Sequence, residues 1–207
     1  MEWSAFYPDI LPNVEGCPLP LVDHHLRRAA IEICKRAKRI KVDVSFDTIV
    51  GTPEYTIDPG AGFKLVSILD INCAGKPIDP ISRAELSRFE NWQTETGTPT
   101  RFITTTEPTV LRLWKTPDTV FTIKAGISIR VDEEATEIAD WFGDQYREGL
   151  CSGAIARLCA MPKKGWTDYE QATLHQGRFE RELSKAAAEG IKDGTRAPLR
   201  TTKHGRA

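Results

Sequence analysis

A chain of 207 residues with 28 lysines and arginines against 29 acids carries a formal charge of −1, so no global field draws it to nucleic acid or an anionic membrane. A hydrophobic share of 40% beside 28% charged residues suits a globular protein and excludes a chain too polar to fold. The length fits one ordinary domain or two very small ones, and no apolar run reaches bilayer length. The opening Met1-Glu2-Trp3-Ser4 lacks the basic start and apolar stretch of a secretion signal, so folding in cytoplasm is expected. The five cysteines (Cys17, Cys34, Cys73, Cys151, Cys159) contain no C-x-x-C pair to aim two thiolates at one ion. They are expected to be free, buried thiols.

Trp3 to Pro20 is dense in aromatics and prolines, and predicts a short turn of helix followed by extended chain. A helix from about Leu21 to Lys38 comes next, with Val22, Leu26, Ala29, Ala30, Ile33 and Ala37 on one face. Cations crowd its C-terminal end, where they complement the helix dipole. From Lys41 the period changes to two, because Val42, Val44 and Phe46 alternate with Asp43, Ser45 and Asp47. Further strands are expected at 55–57, 63–73, 101–105, 109–114 and 119–131, with Ala74-Gly75-Lys76-Pro77 as a turn. Ser82 with Glu85 predicts a capping box opening a short helix over 83–91. Asp58-Pro59-Gly60-Ala61-Gly62 is a plain turn, because the G-K-[ST] of a phosphate loop is missing.

The last third reads as helical. Phe142, Tyr146, Leu150, Ala154, Leu158 and Met161 make one stripe over 138–161, ended by Pro162. Gly149, Gly153 and Ala156 beside that stripe let another backbone come close, either within the chain or from a neighbouring copy. Thr167 with Glu170 predicts a second capping box, opening a helix lined by Tyr169, Ala172, Phe179, Leu183 and Ala186 and ended by Gly190 and Gly194. The segment 195–207 has one large apolar residue and four cations unopposed by any acid, so it offers no core and is expected to order only on a partner. The fold class is therefore α+β: a helical bundle over 1–40 and 132–194, an inserted, mainly antiparallel β unit over 41–131, and an extended basic arm over 195–207.

Catalytic chemistry finds little footing. His24 and His25 are adjacent on a helix and diverge by about 100°, so they cannot share a metal as i,i+4 ligands do, and both are expected to be exposed. His175 stands seven residues after Asp168 with no further ligand at a useful spacing; a hydrolase using that pair is the enzymatic alternative. Glu133, Glu134, Glu137 and Asp140 precede a helix, where acids compensate its dipole. No G-x-S-x-G or H-E-x-x-H is present. No cofactor, no metal site and no enzymatic activity are expected. The cationic helix and basic arm keep a DNA-binding module as a second reading.

The opening Trp3-x-x-Phe6-x-Pro8-x-Ile10-x-Pro12-x-Val14-x-Gly16-Cys17-Pro18 runs into Pro20-Leu21-Val22 and Leu26-Arg27-x-Ala29-Ala30-Ile31-Glu32-Ile33-Cys34. Later come Gly97-Thr98-Pro99, Ala156-Arg157-Leu158-x-Ala160-Met161-Pro162 with Trp166, and Arg196-Ala197-Pro198-Leu199-Arg200. In this order the pieces resemble the head-to-tail adaptor (connector) proteins of podovirus-like bacteriophages. The resemblance implies a structural virion protein, assembled in the host cytoplasm into the neck. It implies a ring, usually of twelve copies, under the portal protein, joined to further tail or nozzle proteins and leaving a channel for DNA. It also implies that the C-terminal arm, with Arg196, Pro198, Leu199, Arg200, Lys203 and Arg206, grips the portal. A tail terminator or tube component is the nearest competing role.

Overall fold

The computed structural model describes residues 1–105, 107 and 109–191. In chain order the elements are a 3-10 turn (Trp3–Phe6), α1 (Tyr7–Ile10), a second 3-10 turn (Leu11–Asn13) and α2 (Leu19–Ala37). Strands β1 (Lys41–Asp47), β2 (Glu54–Thr56), β3 (Phe63–Cys73) and β4 (Lys76–Pro80) follow, then α3 (Arg83–Leu86). Next come β5 (Arg101–Thr104), β6 (Val110–Trp114), β7 (Thr122–Val131), α4 (Asp140–Gln145), α5 (Arg147–Cys159) and α6 (Tyr169–Ile191). The chain is mixed α+β and divides into two units: one of Met1–Arg39 with the chain from Glu133 onward, the other of Ile40–Asp132.

In the helical unit the opening segment does not extend after one turn as expected. It makes three successive short turns, with Pro8 and Pro12 second in the last two. A proline there gives up only an N–H that has no partner within the turn, so it starts helical turns as readily as it ends them. Trp3, Phe6, Ile10 and Val14 consequently share one buried face. The Trp3 indole N–H donates to the Ala135 carbonyl (2.8 Å), and the Met1 ammonium donates to the Ile138 carbonyl (2.7 Å) and to the Asp140 carboxylate.

The face expected for α2 is buried, widened by Ile31 and Cys34. Lys38 ends the helix in a left-handed conformation (φ 49°), its N–H returning to the Cys34 carbonyl at 2.9 Å. The single helix expected over 138–161 is instead two, because Tyr146 (φ −110°, ψ 19°) interrupts it. The Tyr146 ring is buried and its hydroxyl donates to Glu189 (3.1 Å), a tertiary contact that residue spacing does not express.

Nearly all of α5 is buried, and its small residues serve contacts inside the chain. A methyl group on Gly149 would lie 3.1 Å from Cβ of Glu182; one on Gly153 would lie 2.8 Å from the Phe179 ring and 2.9 Å from Cβ of Ala29. These glycines let α2, α5 and α6 approach one another, with Ala172, Phe179, Leu183 and Ala186 of α6 facing inward. Tyr169 does not belong to that face; it is exposed. The cap of α6 also differs from expectation. The Thr167 hydroxyl is engaged by the preceding turn, donating to the Met161 carbonyl (2.6 Å) and accepting from the Lys164 N–H (2.9 Å). Asp168 therefore accepts from the Gln171 N–H (2.9 Å) and opens the helix. Gly190, expected beyond the end, lies within α6 and faces the Ala37 backbone.

The β unit is one seven-stranded sheet in the order β1-β7-β3-β4-β5-β6-β2, antiparallel except between β4 and β5. Its core gathers Ile57, Ile71, Phe102, Leu111, Leu113 and Ile127, among others. β4 is the strand that sequence reasoning missed, because Pro77 and Pro80 argue against strand in sequence. Ala74 and Gly75, both at positive φ (48° and 79°), make the two-residue turn that pairs Cys73 with Lys76 and carries the chain straight back. Ser82 caps α3 as expected, accepting from the Glu85 N–H at 3.1 Å, but α3 closes after four residues.

Candidate functional site

The arm assigned to portal binding, Arg196, Pro198, Leu199, Arg200, Lys203 and Arg206, lies outside the described residues. What the described chain offers is surface, and the cations of α2 are partly engaged within their own unit. The Arg27 guanidinium donates to the Asp23 carbonyl (3.2 Å) and the Glu133 carbonyl (3.1 Å). Arg157 of α5 reaches the Glu32 carboxylate at 2.6 Å. Around them lies a recess of about 590 Å³ lined by His24, Arg28, Ile31, Lys35 and Glu134. Its mixed charge is not the unbroken cationic stripe that phosphate binding requires.

A larger groove of about 1030 Å³ runs between the opening segment, α5 and the first half of α6, lined by Asp9, Arg147, Leu174, His175, Arg178 and Arg181 among others. Arg147 is fixed there by Asp9 (2.7 Å) and the Ala5 carbonyl (2.6 Å). His175 is buried, and its Nδ1 has no hydrogen-bond partner; burial first, then the Arg178 charge, pushes its pKa down. It is a neutral ring at neutral pH. The Asp168 carboxylate accepts from the Gln171 N–H at the start of α6, and among the described residues no hydrogen bond joins it to His175.

His24 is exposed as expected, but His25 is half-buried, with Nδ1 enclosed and unpartnered. Desolvation, followed by the charges of His24, Arg157 and Arg28, lowers its pKa from 6.5 to about 4. Between those values the unfolded chain binds a proton that the folded chain refuses, so His25 costs stability as pH falls from about 6.5 toward 4. His25→Gln is expected to lose less stability than the parent over that range in chemical denaturation at stepped pH; parallel curves would refute the assignment.

All five cysteines are free and buried, as expected. Burial, reinforced by Asp9, pushes the Cys151 thiol up to about 12, and burial also raises Cys17, Cys73 and Cys159. A thiol held protonated is a poor nucleophile. Among the described residues no group of three or more His, Cys, Asp or Glu side chains is placed to hold a metal ion, and no helix is long and apolar enough to cross a membrane.

The family model described as SU10 adaptor protein matches residues 9–202, a span that includes residues of both units. No curated protein matches the chain. Over nearly its whole length, then, the chain belongs to the SU10 adaptor protein family, structural head-to-tail adaptors of phages and not enzymes.

Proposed function

We propose that this adaptor works as a closed ring of about twelve copies beneath the portal, leaving a central channel through which DNA passes. The family match across residues 9–202 is the observation that carries the reading. A closed ring needs a heterologous interface, in which one side of each copy fits the opposite side of the next after a rotation of about 30° for twelve copies. Each copy then meets the portal through the helical bundle and the arm from Arg196 to Arg206, while the β unit over 41–131 meets the tail protein. The small-residue run of α5 is spent on packing inside the chain, so the ring contact falls on other surfaces.

Electron microscopy of the purified chain, alone and mixed with portal rings, tests this. Rings of adaptor seated on the portal are expected in the mixture. A virion map whose neck lacks this polypeptide would refute it.

A further inference from the structure

The most exposed aliphatic side chains of the β unit lie on two loops: Ile49 is 66% exposed and Val50 56% on one, and Val120 64% on the other. Scattered apolar residues on a surface need no explanation, but three on neighbouring loops do. The two loops that carry them are tied side by side. The Thr48 N–H donates to the Phe121 carbonyl (2.9 Å), the Phe121 N–H to the Thr48 hydroxyl (2.8 Å), and the Gly51 N–H to the Pro117 carbonyl (2.9 Å). Thr48 itself is buried.

The first loop is also braced from below. Its turn closes from the Thr52 N–H to the Ile49 carbonyl (3.0 Å), with Gly51 at φ 77° in the position that demands a positive φ. The Tyr55 hydroxyl accepts from the Ile49 N–H (3.1 Å) and donates to the Thr52 carbonyl (2.6 Å), while the Tyr55 ring stacks on Phe46. All three apolar side chains are β-branched and stiff at χ1. Here the chain orders its backbone and then leaves the apolar groups in water. That arrangement favours docking, because little freedom is left to lose when a partner covers it.

We infer that Ile49, Val50 and Val120 form a preordered knob that seats in an apolar recess of the adjoining tail protein, with basic residues at the rim of that recess. The identification of a tail protein rests on the adaptor reading above. The rim follows from charge: across residues 47–53 and 117–121 the charged residues are Asp47 and Asp118, both exposed acids. Two acids at the tip also disfavour an anionic bilayer. Three side chains fall well short of the roughly 1,200–2,000 Å² that a stable pair of proteins buries, so the knob does not hold two free copies together. Repeated around an assembled ring, the same small contact gains strength by multivalency.

The test loads portal-bearing heads with the full-length chain, either parent or the Ile49→Thr, Val50→Thr, Val120→Thr variant, and then adds tails released from virions. Threonine keeps the β-branch while removing apolar surface. Both chains are expected to load onto heads equally, and the variant to yield at least about tenfold fewer tailed particles by electron microscopy, about 1.4 kcal/mol in joining free energy. Tail joining within twofold of the parent would overturn the knob. If the substitutions instead abolish self-association in sedimentation, or binding to anionic phospholipid vesicles, the occupant is a second copy or a membrane and the proposal falls. A parent chain that fails to load onto heads refutes the adaptor reading itself, a separate result.

Discussion

Truncation after Gly194 is expected to leave both units folded and to weaken attachment to portal rings by about 100-fold or more, which corresponds to about 2.7 kcal/mol. The buried residues described in the helical unit run as far as Ala186, eight positions before the cut. The removed stretch carries Arg196, Arg200, Lys203 and Arg206 with a single large apolar side chain, Leu199. Such a segment gains little by folding back on its own chain, yet it can make charge-assisted hydrogen bonds and one apolar anchor on a partner. Circular dichroism separates folding from binding, and portal co-sedimentation reads the binding. Full portal binding by the truncated chain would remove the arm as anchor. Replacing the four cations by glutamine in the intact arm tells whether charge or chain length supplies the grip.

Gly190→Ala and Gly153→Val are expected to destabilise the helical unit by about 3 kcal/mol each, within the range for overpacked cores and at its upper end. An added Cβ on Gly190 would lie 1.7 Å from the Ala37 carbonyl oxygen, and backbone cannot rotate aside as a side chain can. On Gly153 it would meet Phe179 ring carbons and the Ala29 methyl group, all within the core shared by α2, α5 and α6. Helix propensity works the other way, since alanine is favoured over glycine in a helix by about 0.5–1 kcal/mol. Gly177 supplies the control. It lies in α6 with open space where its Cβ would go, so Gly177→Ala is expected to raise stability by about that propensity difference. Thermal and urea unfolding of the three variants decides the matter. Equal responses at Gly153 and Gly177 would mean that the helices are not closely packed at Gly153.

The fold class was legible in residue order because local physics dominates where a pattern is long. The stripe from Val22 to Ala37 and the inward set Ala172, Phe179, Leu183 and Ala186 are buried as their spacing requires. The alternation in β1 and the Ser82 cap of α3 are likewise local devices. Misreadings cluster where two local signals compete. Pro77 and Pro80 spoke against β4, and a hairpin turn outweighed them. Thr167 looked like a cap until Met161 and Lys164 claimed its hydroxyl. His25 looked exposed because nothing in a single helix tells how closely a second helix approaches it.

By itself the sequence determined most of the helices and strands, that the thiols stay free, and that the order of motifs along the chain resembles phage adaptors. The first two follow from periodicity, capping chemistry and residue type, each of which acts over a few neighbouring positions; the third rests on the motifs and their order. Only the tertiary structure decided that Gly149, Gly153 and Gly190 serve close helix contacts inside the chain, and that the loop of Ile49 and Val50 is tied beside the loop of Val120. Proximity between residues seventy or more positions apart, such as Thr48 and Phe121, is set by how the strands pair and the helices pack, and no local pattern encodes it.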